Sequence, residues 1–292
     1  MNSKFKKIFT VLVTPFYKNE VDYESIEKIV DDQLKNNIKG FVLNGTTSEN
    51  PTLTELEIKK IFSTVRAMVG LDFPLVLGTG TNSTSSTVTN TQKACDLGAD
   101  AALVVVPYYN KPSQSGLLQH YKAVAECSDL PVIMYNVPSR TIVSMAAETI
   151  IELSHIKNII GIKEASGNLV ENKKIINESQ KDFIVLSGDD GSYIDFLKLG
   201  GHGLMSVMSN LIPKETLEWS EQIYLNKNAE INFNKYLNLI NGMYVEANPI
   251  PIKWMLYKKN IIRSPELRLP LTVLDEKYHQ SSLKLMTELG II

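Results

Sequence analysis

Short apolar runs alternate along the chain with longer stretches of amphipathic character. The runs are rich in β-branched residues and have the length of buried strands in a parallel sheet. In the stretches between them apolar side chains recur at helical spacing, as at Ile58, Ile61, Phe62 and Val65. We predict eight strands, at residues 9–13, 40–43, 75–77, 101–106, 132–135, 159–163, 183–186 and 203–207.

Eight strand–helix repeats predict an α/β fold of the (β/α)8 barrel type. An open doubly wound sheet that binds a dinucleotide would carry a GxGxxG motif after its first strand, where this chain has Thr14-Pro15-Phe16. The barrel core is expected to span residues 1–212. Residues 213–292 are expected to form the last barrel helix and a C-terminal helical extension, packed as part of the same unit.

Composition narrows the classes of partner and location. The 292 residues include 30 basic and 32 acidic side chains, for a net charge of −2, so we expect no nucleic-acid partner. No apolar run approaches the roughly 18 residues that span a membrane, and we expect a cytoplasmic protein. The four histidines lack metal-site spacing, and Cys95 and Cys127 are expected to be small buried side chains. We predict neither a metal nor an added cofactor.

The end of the sixth predicted strand carries Lys163, directly after a β-branched run. Burial at a strand end would disfavour the charged ammonium, and an uncharged amine can form a Schiff base with a ketone. A lysine that only extends its charge into solvent is the alternative.

Other strand ends carry groups that suit the same chemistry, because the C-terminal strand ends of a barrel meet at one rim. Tyr135 ends the fifth strand and could move a proton, and Arg140 could hold a carboxylate. Thr46 and Thr47 follow Gly45 in a turn that could bind an anion or form an ordinary helix cap. Asp189 and Asp190 suit a metal ion, acid–base chemistry or a helix N-cap. Together these groups favour Schiff-base aldol or lyase chemistry on a small keto acid.

At these residues the chain resembles the dihydrodipicolinate synthase branch of the pyruvate-dependent class I aldolases, the family that also contains the N-acetylneuraminate lyases. The resemblance runs nearly end to end. It rests on Gly45-Thr46-Thr47-Ser48-Glu49, Pro107-Tyr108-Tyr109-Asn110-Lys111-Pro112-Ser113-Gln114, Tyr135-Asn136-Val137-Pro138-Ser139-Arg140-Thr141, Gly161-Ile162-Lys163-Glu164-Ala165, Leu186-Ser187-Gly188-Asp189-Asp190 and Asn248-Pro249-Ile250-Pro251.

The resemblance implies a role for each of these positions. Lys163 would form the imine with pyruvate, and Tyr135 would relay protons with Thr46 and with Tyr109 from a neighbouring subunit. Substrate contacts would come from Thr47, Gly188, the backbone around Met205, and Arg140, which would hold the carboxylate of aspartate 4-semialdehyde. It also implies a homodimer or homotetramer and a product on the route to diaminopimelate and lysine.

Two departures from the family pattern stand out. Ser48 replaces the usual glycine, which predicts a slightly different turn because serine tolerates fewer backbone angles. Ser86 and Ile58 stand where lysine-inhibited members carry an acid and a His or Trp, although Tyr108 is present. We therefore predict weak or absent inhibition by lysine.

Two alternatives remain open from the sequence. A sister aldolase, such as N-acetylneuraminate lyase or a keto-deoxy-sugar acid aldolase, would share the lysine, the tyrosine and the hydroxyl turn, but would have little use for Arg140. A catalytically inactive barrel kept for binding would not need Lys163, Tyr135 and Thr46 together.

Overall fold

The computed structural model describes residues 2–225 and 227–292. Its strands are β1 Ile8–Val11, β2 Phe16–Tyr17, β3 Glu20–Val21, β4 Phe41–Leu43, β5 Leu75–Gly78, β6 Ala101–Val105, β7 Val132–Asn136, β8 Ile159–Glu164, β9 Ile184–Ser187 and β10 Leu204–Ser206. Its helices are α1 Tyr23–Lys35, α2 Glu55–Val69, α3 Thr84–Asp96, α4 Gln114–Glu126, α5 Pro138–Thr141, α6 Ala147–Leu153, α7 Leu169–Glu178, α8 Tyr193–Lys198, α9 Pro213–Tyr224, α10 Glu230–Gly242, α11 Ile250–Lys258 and α12 His279–Glu288.

Eight of the strands close into a barrel in the order β1, β10, β9, β8, β7, β6, β5, β4. The pairings from β4 through β10 are parallel. All eight predicted strands are confirmed, with ends that differ by one or two residues. The short strands β2 and β3 pair antiparallel outside the barrel.

Contacts divide the chain into two compact units that interleave in sequence. The first consists of Met1–Phe9, Gly40–Leu43 and Pro74–Met205, and the second of Thr10–Lys39, Asn44–Phe73 and Ser206–Ile292.

The first unit contains β5 to β9. Every side chain of β5, β7, β8 and β9 is buried, as expected of parallel strands covered on both faces. Cys95 is exposed and Cys127 half-buried, so the prediction that both are buried was wrong. Both cysteines lie at the C-terminal ends of helices, where the side chain need not face the core.

The second unit contains α1, α2 and the C-terminal helices. Thr54 and Glu57 form a capping box at the start of α2. In α11 the seven consecutive residues from Ile250 to Leu256 are all buried. A helix buried on every side lies in the interior of its unit, and the one charged residue among these seven, Lys253, therefore needs a partner.

Candidate active site

Lys163 and Tyr135 lie side by side on neighbouring strands. They are direct partners in the register of β8 with β7, so their side chains leave the sheet on the same face. Lys163 is 5% and Tyr135 8% exposed. The Lys163 Nζ lies 4.4 Å from the centroid of the Tyr135 ring. The amine and the phenol ring that the sequence singled out thus lie side by side, and both side chains are buried.

A buried polar contact joins the next residues of the same two strands. Asn136 Nδ2 donates to Glu164 Oε2 at 2.8 Å, and the Ser166 N–H donates to Glu164 Oε1 at 2.6 Å. Burial raises the pKa of Glu164, while the hydrogen bonds from Ser166 and Asn136 oppose that shift. Asn136 Oδ1 in turn accepts from the Met145 N–H at 3.0 Å. Sequence reasoning passed over Asn136 and Glu164, although each is a polar residue that extends an apolar strand.

Gly188 approaches the reactive lysine closely. A Cβ added at this position would lie 2.8 Å from Lys163 Cε and 2.8 Å from the Ala165 Cβ, distances that real contacts do not reach. The Gly188 N–H donates to the Glu164 carbonyl at 2.7 Å. Backbone therefore passes directly beside the Lys163 side chain at the end of β9.

The other residues singled out in the first unit have varied surroundings. Met205 is buried on β10. Asp189 Oδ2 accepts from the Ser192 N–H at 2.9 Å and from Ser192 Oγ at 2.5 Å, next to the start of α8. That arrangement favours the structural interpretation of Asp189. No group of three or more His, Cys, Asp or Glu side chains suited to a metal ion occurs among the described residues.

Arg140 and Tyr109 are exposed in the single chain. Arg140 lies on α5, just after β7. Tyr109 is 87% exposed and holds a φ of 76°, a backbone conformation that bulky residues rarely adopt. Tyr109 therefore combines an exposed aromatic side chain with a backbone conformation that is costly for it.

Thr46, Thr47 and Ser48 form a 3-10 turn directly after β4, in the second unit. Asn248 Nδ2 donates to Thr47 Oγ1 at 3.0 Å, and Ser48 Oγ donates to the Leu12 carbonyl at 2.8 Å. The φ of Ser48 is not positive; the left-handed positions on either side of this turn are Asn44 and Glu49. Serine is therefore compatible with the turn at position 48.

Glu49, which ends the turn, forms an ion pair with Lys253 of α11. The Glu49 Oε1 to Lys253 Nζ distance is 2.7 Å, and the side chains are 1% and 0% exposed. Burial lowers the pKa of Lys253 to about 8, against the opposing effect of the Glu49 carboxylate. The two residues are far apart in the sequence, and the sequence did not predict that they form an ion pair.

None of the helices in the described part of the chain is long and apolar enough to cross a membrane.

Comparison with known proteins places this geometry in a family. The chain is 46% identical over 291 residues to a 4-hydroxy-tetrahydrodipicolinate synthase of Bdellovibrio bacteriovorus, covering 99% of each chain. Its structure is similar to dihydrodipicolinate synthase from Thermotoga maritima, with a TM-score of 0.94, 39% identity and 98% of each chain covered. It is similar as well to the chloride-inhibited dihydrodipicolinate synthase from Acinetobacter baumannii complexed with pyruvate, with a TM-score of 0.94, 40% identity, and 97% of this chain and 98% of the other covered. The model of the dihydrodipicolinate synthetase family matches residues 4–289, and the chain belongs to this family.

Proposed function

We infer that this chain is a 4-hydroxy-tetrahydrodipicolinate synthase, a class I lyase that condenses pyruvate with L-aspartate 4-semialdehyde. The observation that carries this inference is the buried pairing of the Lys163 amine with the Tyr135 phenol. The name shared by the curated relatives and the pyruvate in the Acinetobacter complex support it.

The chemistry begins when Lys163 Nζ adds to the ketone carbon of pyruvate. Loss of water gives an imine, which draws electrons from the methyl carbon so that this carbon can lose a proton and become a nucleophile. The nucleophile forms a carbon–carbon bond with the aldehyde of the second substrate. Displacement of Lys163 by the substrate's own amine then releases the cyclic product. Each stage moves a proton near Lys163, and the phenol of the neighbouring Tyr135 would carry it.

The remaining roles are proposals that rest on the family motifs and on chain position. Thr46 and a neighbouring subunit's Tyr109 would extend the proton relay from Tyr135. Thr47, Gly188 and the backbone at Met205 would hold pyruvate. Arg140 would bind the carboxylate of aspartate 4-semialdehyde through its planar guanidinium.

We also propose that the fold is a (β/α)8 barrel with extra C-terminal helices, since helices alternate with the barrel strands. The predicted division after residue 212, the homodimer or homotetramer and the cytoplasmic location stay predictions. A sister aldolase acting on sugar acids is less favoured, because the curated relatives share the synthase name.

Borohydride trapping tests the proposal. The chain is incubated with pyruvate and sodium borohydride, and intact mass and peptide mapping locate the adduct; a coupled assay then adds aspartate 4-semialdehyde. We expect an adduct on Lys163 and turnover, no adduct on the Lys163→Ala variant, and an adduct without efficient turnover on Arg140→Ala. Lys181→Ala, which changes an exposed lysine, serves as the control and should behave as wild type.

Each contrary outcome has a distinct meaning. Trapping without turnover in the wild type would point to a sister aldolase, and absence of trapping would point to an inactive barrel. An adduct retained by Lys163→Ala would show that another amine reacts. Normal turnover by Arg140→Ala would remove Arg140 from the site.

A further inference from the structure

The turn that carries Thr46 and Thr47 is held by groups far away in the sequence. Glu49, its last residue, adopts a left-handed conformation with φ of 57° and ψ of 40°. Such a conformation is unfavourable for a residue with a side chain and persists only where its surroundings enforce it. The Glu49 carboxylate supplies that enforcement, because Oε1 accepts from Lys253 Nζ at 2.7 Å and Oε2 accepts from the Arg268 N–H at 3.0 Å.

A second contact from the same C-terminal segment reaches the hydroxyl group of Thr47. Asn248 Nδ2 donates to Thr47 Oγ1 at 3.0 Å, and the contact is buried. A threonine oxygen that accepts one hydrogen bond still has its own proton to donate. Asn248 therefore leaves the Thr47 O–H with a defined direction and the role of a donor, which suits contact with an anion.

Stability alone does not account for the ion pair. Both side chains are almost completely buried, and replacing such a pair with apolar residues of similar volume is often neutral or stabilising. The Lys253 Nζ also lies 4.3 Å from the centroid of the Phe16 ring. Burial lowers the pKa of Lys253, so the protein interior disfavours its charged form. A costly buried pair attached to a strained turn is best explained by what the turn does.

We propose that Lys253 and Asn248 are positioning residues, which hold the Thr46–Glu49 turn so that the hydroxyl groups of Thr46 and Thr47 keep the orientation the reaction needs. Lys253 acts through Glu49, and Asn248 acts on Thr47 directly. This inference rests on the proposed function, since it gives the turn a task in that reaction.

The decisive test separates the position of the turn from the stability of the chain. In the Glu49→Met/Lys253→Met double variant both charges disappear and the volume is roughly kept, so we expect Tm within about 3 °C of wild type. The apolar pair offers no hydrogen bond to the turn. We therefore expect kcat to fall at least about 10-fold, because small displacements of catalytic groups cost large factors in rate. Glu49→Gln keeps hydrogen-bonding groups at both positions and should retain most of the wild-type kcat.

A matched control comes from another buried carboxylate of the second unit. Asp22 pairs with Arg263 at 2.7 Å and caps α1 rather than the hydroxyl turn. Arg263→Met should lower Tm while leaving kcat and the KM for pyruvate unchanged.

The outcomes distinguish the inference from the function on which it depends. A double variant with wild-type Tm and wild-type kcat would overturn the positioning role and leave the proposed function standing. If the double variant does not fold, Asn248→Leu decides, because it removes the donor to Thr47 and keeps the ion pair. A folded Asn248→Leu with unchanged kcat and unchanged KM for pyruvate would also overturn the inference. Absence of a pyruvate adduct in the wild type would overturn the function and the inference together.

Discussion

At the scale of single residues, the geometry around Lys163 leaves little room for change. The amine faces the Tyr135 ring on one side, and the backbone of Gly188 passes beside the aliphatic part of the Lys163 side chain. Glycine is required here because any Cβ would meet Lys163, and not because of its backbone angles. The Lys163 side chain can take this position only because residue 188 has no Cβ.

We expect Gly188→Ala to displace the Lys163 side chain and slow imine formation by about 10- to 100-fold, as misplacement of a reacting group does. The flexible lysine can move, so the fold should persist with a modest drop in Tm. Pre-steady-state trapping with pyruvate and borohydride measures the rate.

Gly191→Ala is the matched control from the same loop. A Cβ there would approach only Asp189 Oδ2, at 3.8 Å, so trapping should proceed at the wild-type rate. Equal trapping rates for Gly188→Ala and Gly191→Ala would contradict the steric argument.

At the scale of elements, β7 and β8 are held together by a side-chain hydrogen bond as well as by their backbone hydrogen bonds. Asn136 and Glu164 are register partners one position after Tyr135 and Lys163, and their side-chain hydrogen bond is buried. Successive residues of a strand point to opposite faces of the sheet. The Asn136–Glu164 hydrogen bond therefore links the two strands on the face opposite Tyr135 and Lys163.

Because of the Asn136–Glu164 hydrogen bond, we expect Asn136→Leu to lower the free energy of unfolding by an amount that depends on pH. The folded pKa of Glu164 is raised, so its contribution to the free energy of unfolding falls as pH rises from the unfolded pKa through the folded one. Loss of the Asn136 donor disfavours the carboxylate further. We expect the variant to lose about 1 kcal/mol at pH 5 and about 2–3 kcal/mol at pH 7.5, measured by urea unfolding.

Asn158→Leu provides the comparison for this pH effect. Asn158 Nδ2 donates to the carbonyls of Ala125, Ser128 and Leu130, none of which titrates. Its destabilisation should be the same at both pH values. A pH-independent loss for Asn136→Leu would show that Glu164 does not depend on this donor.

At the scale of the whole molecule, the predicted role of Tyr109 in a neighbouring subunit can be tested directly. We expect complementation between two variants if Tyr109 serves a neighbouring subunit. Lys163→Ala and Tyr109→Phe should each be nearly inactive, and coexpression should restore about a quarter of the wild-type activity, since random pairing makes half the dimers hybrids with one complete site.

The same experiment has a sharp contrary result. If Tyr109 served its own subunit, no hybrid would contain a complete site and activity would stay at the level of the single variants. Analytical ultracentrifugation of the wild type then shows whether the protein is a monomer, a dimer or a tetramer.

Weak or absent inhibition by lysine is the second prediction at this scale. Ser86 and Ile58 provide no acid to pair with an effector's ammonium, so millimolar lysine should change the steady-state rate by less than about 2-fold. Ser86→Glu, which introduces such an acid, tests whether that group is what is missing. Strong inhibition of the wild type would contradict the prediction.

Much of this molecule follows from local patterns along the chain. Apolar runs of strand length, helix caps and the motif at each strand end determined the eight strands, the choice of Lys163 and Tyr135, and the family. These features depend on neighbours within a few residues, which is why their ends differ from the structure by only one or two positions.

Only the tertiary structure decided which polar groups meet. Glu49 and Lys253 are 204 positions apart in the sequence, and Thr47 and Asn248 are 201 positions apart. No local periodicity links residues at such separations. The direct pairing of Tyr135 with Lys163 likewise depended on the register of β7 with β8. Buried polar groups must find partners wherever the fold brings them, so their pairing follows from the folded chain as a whole.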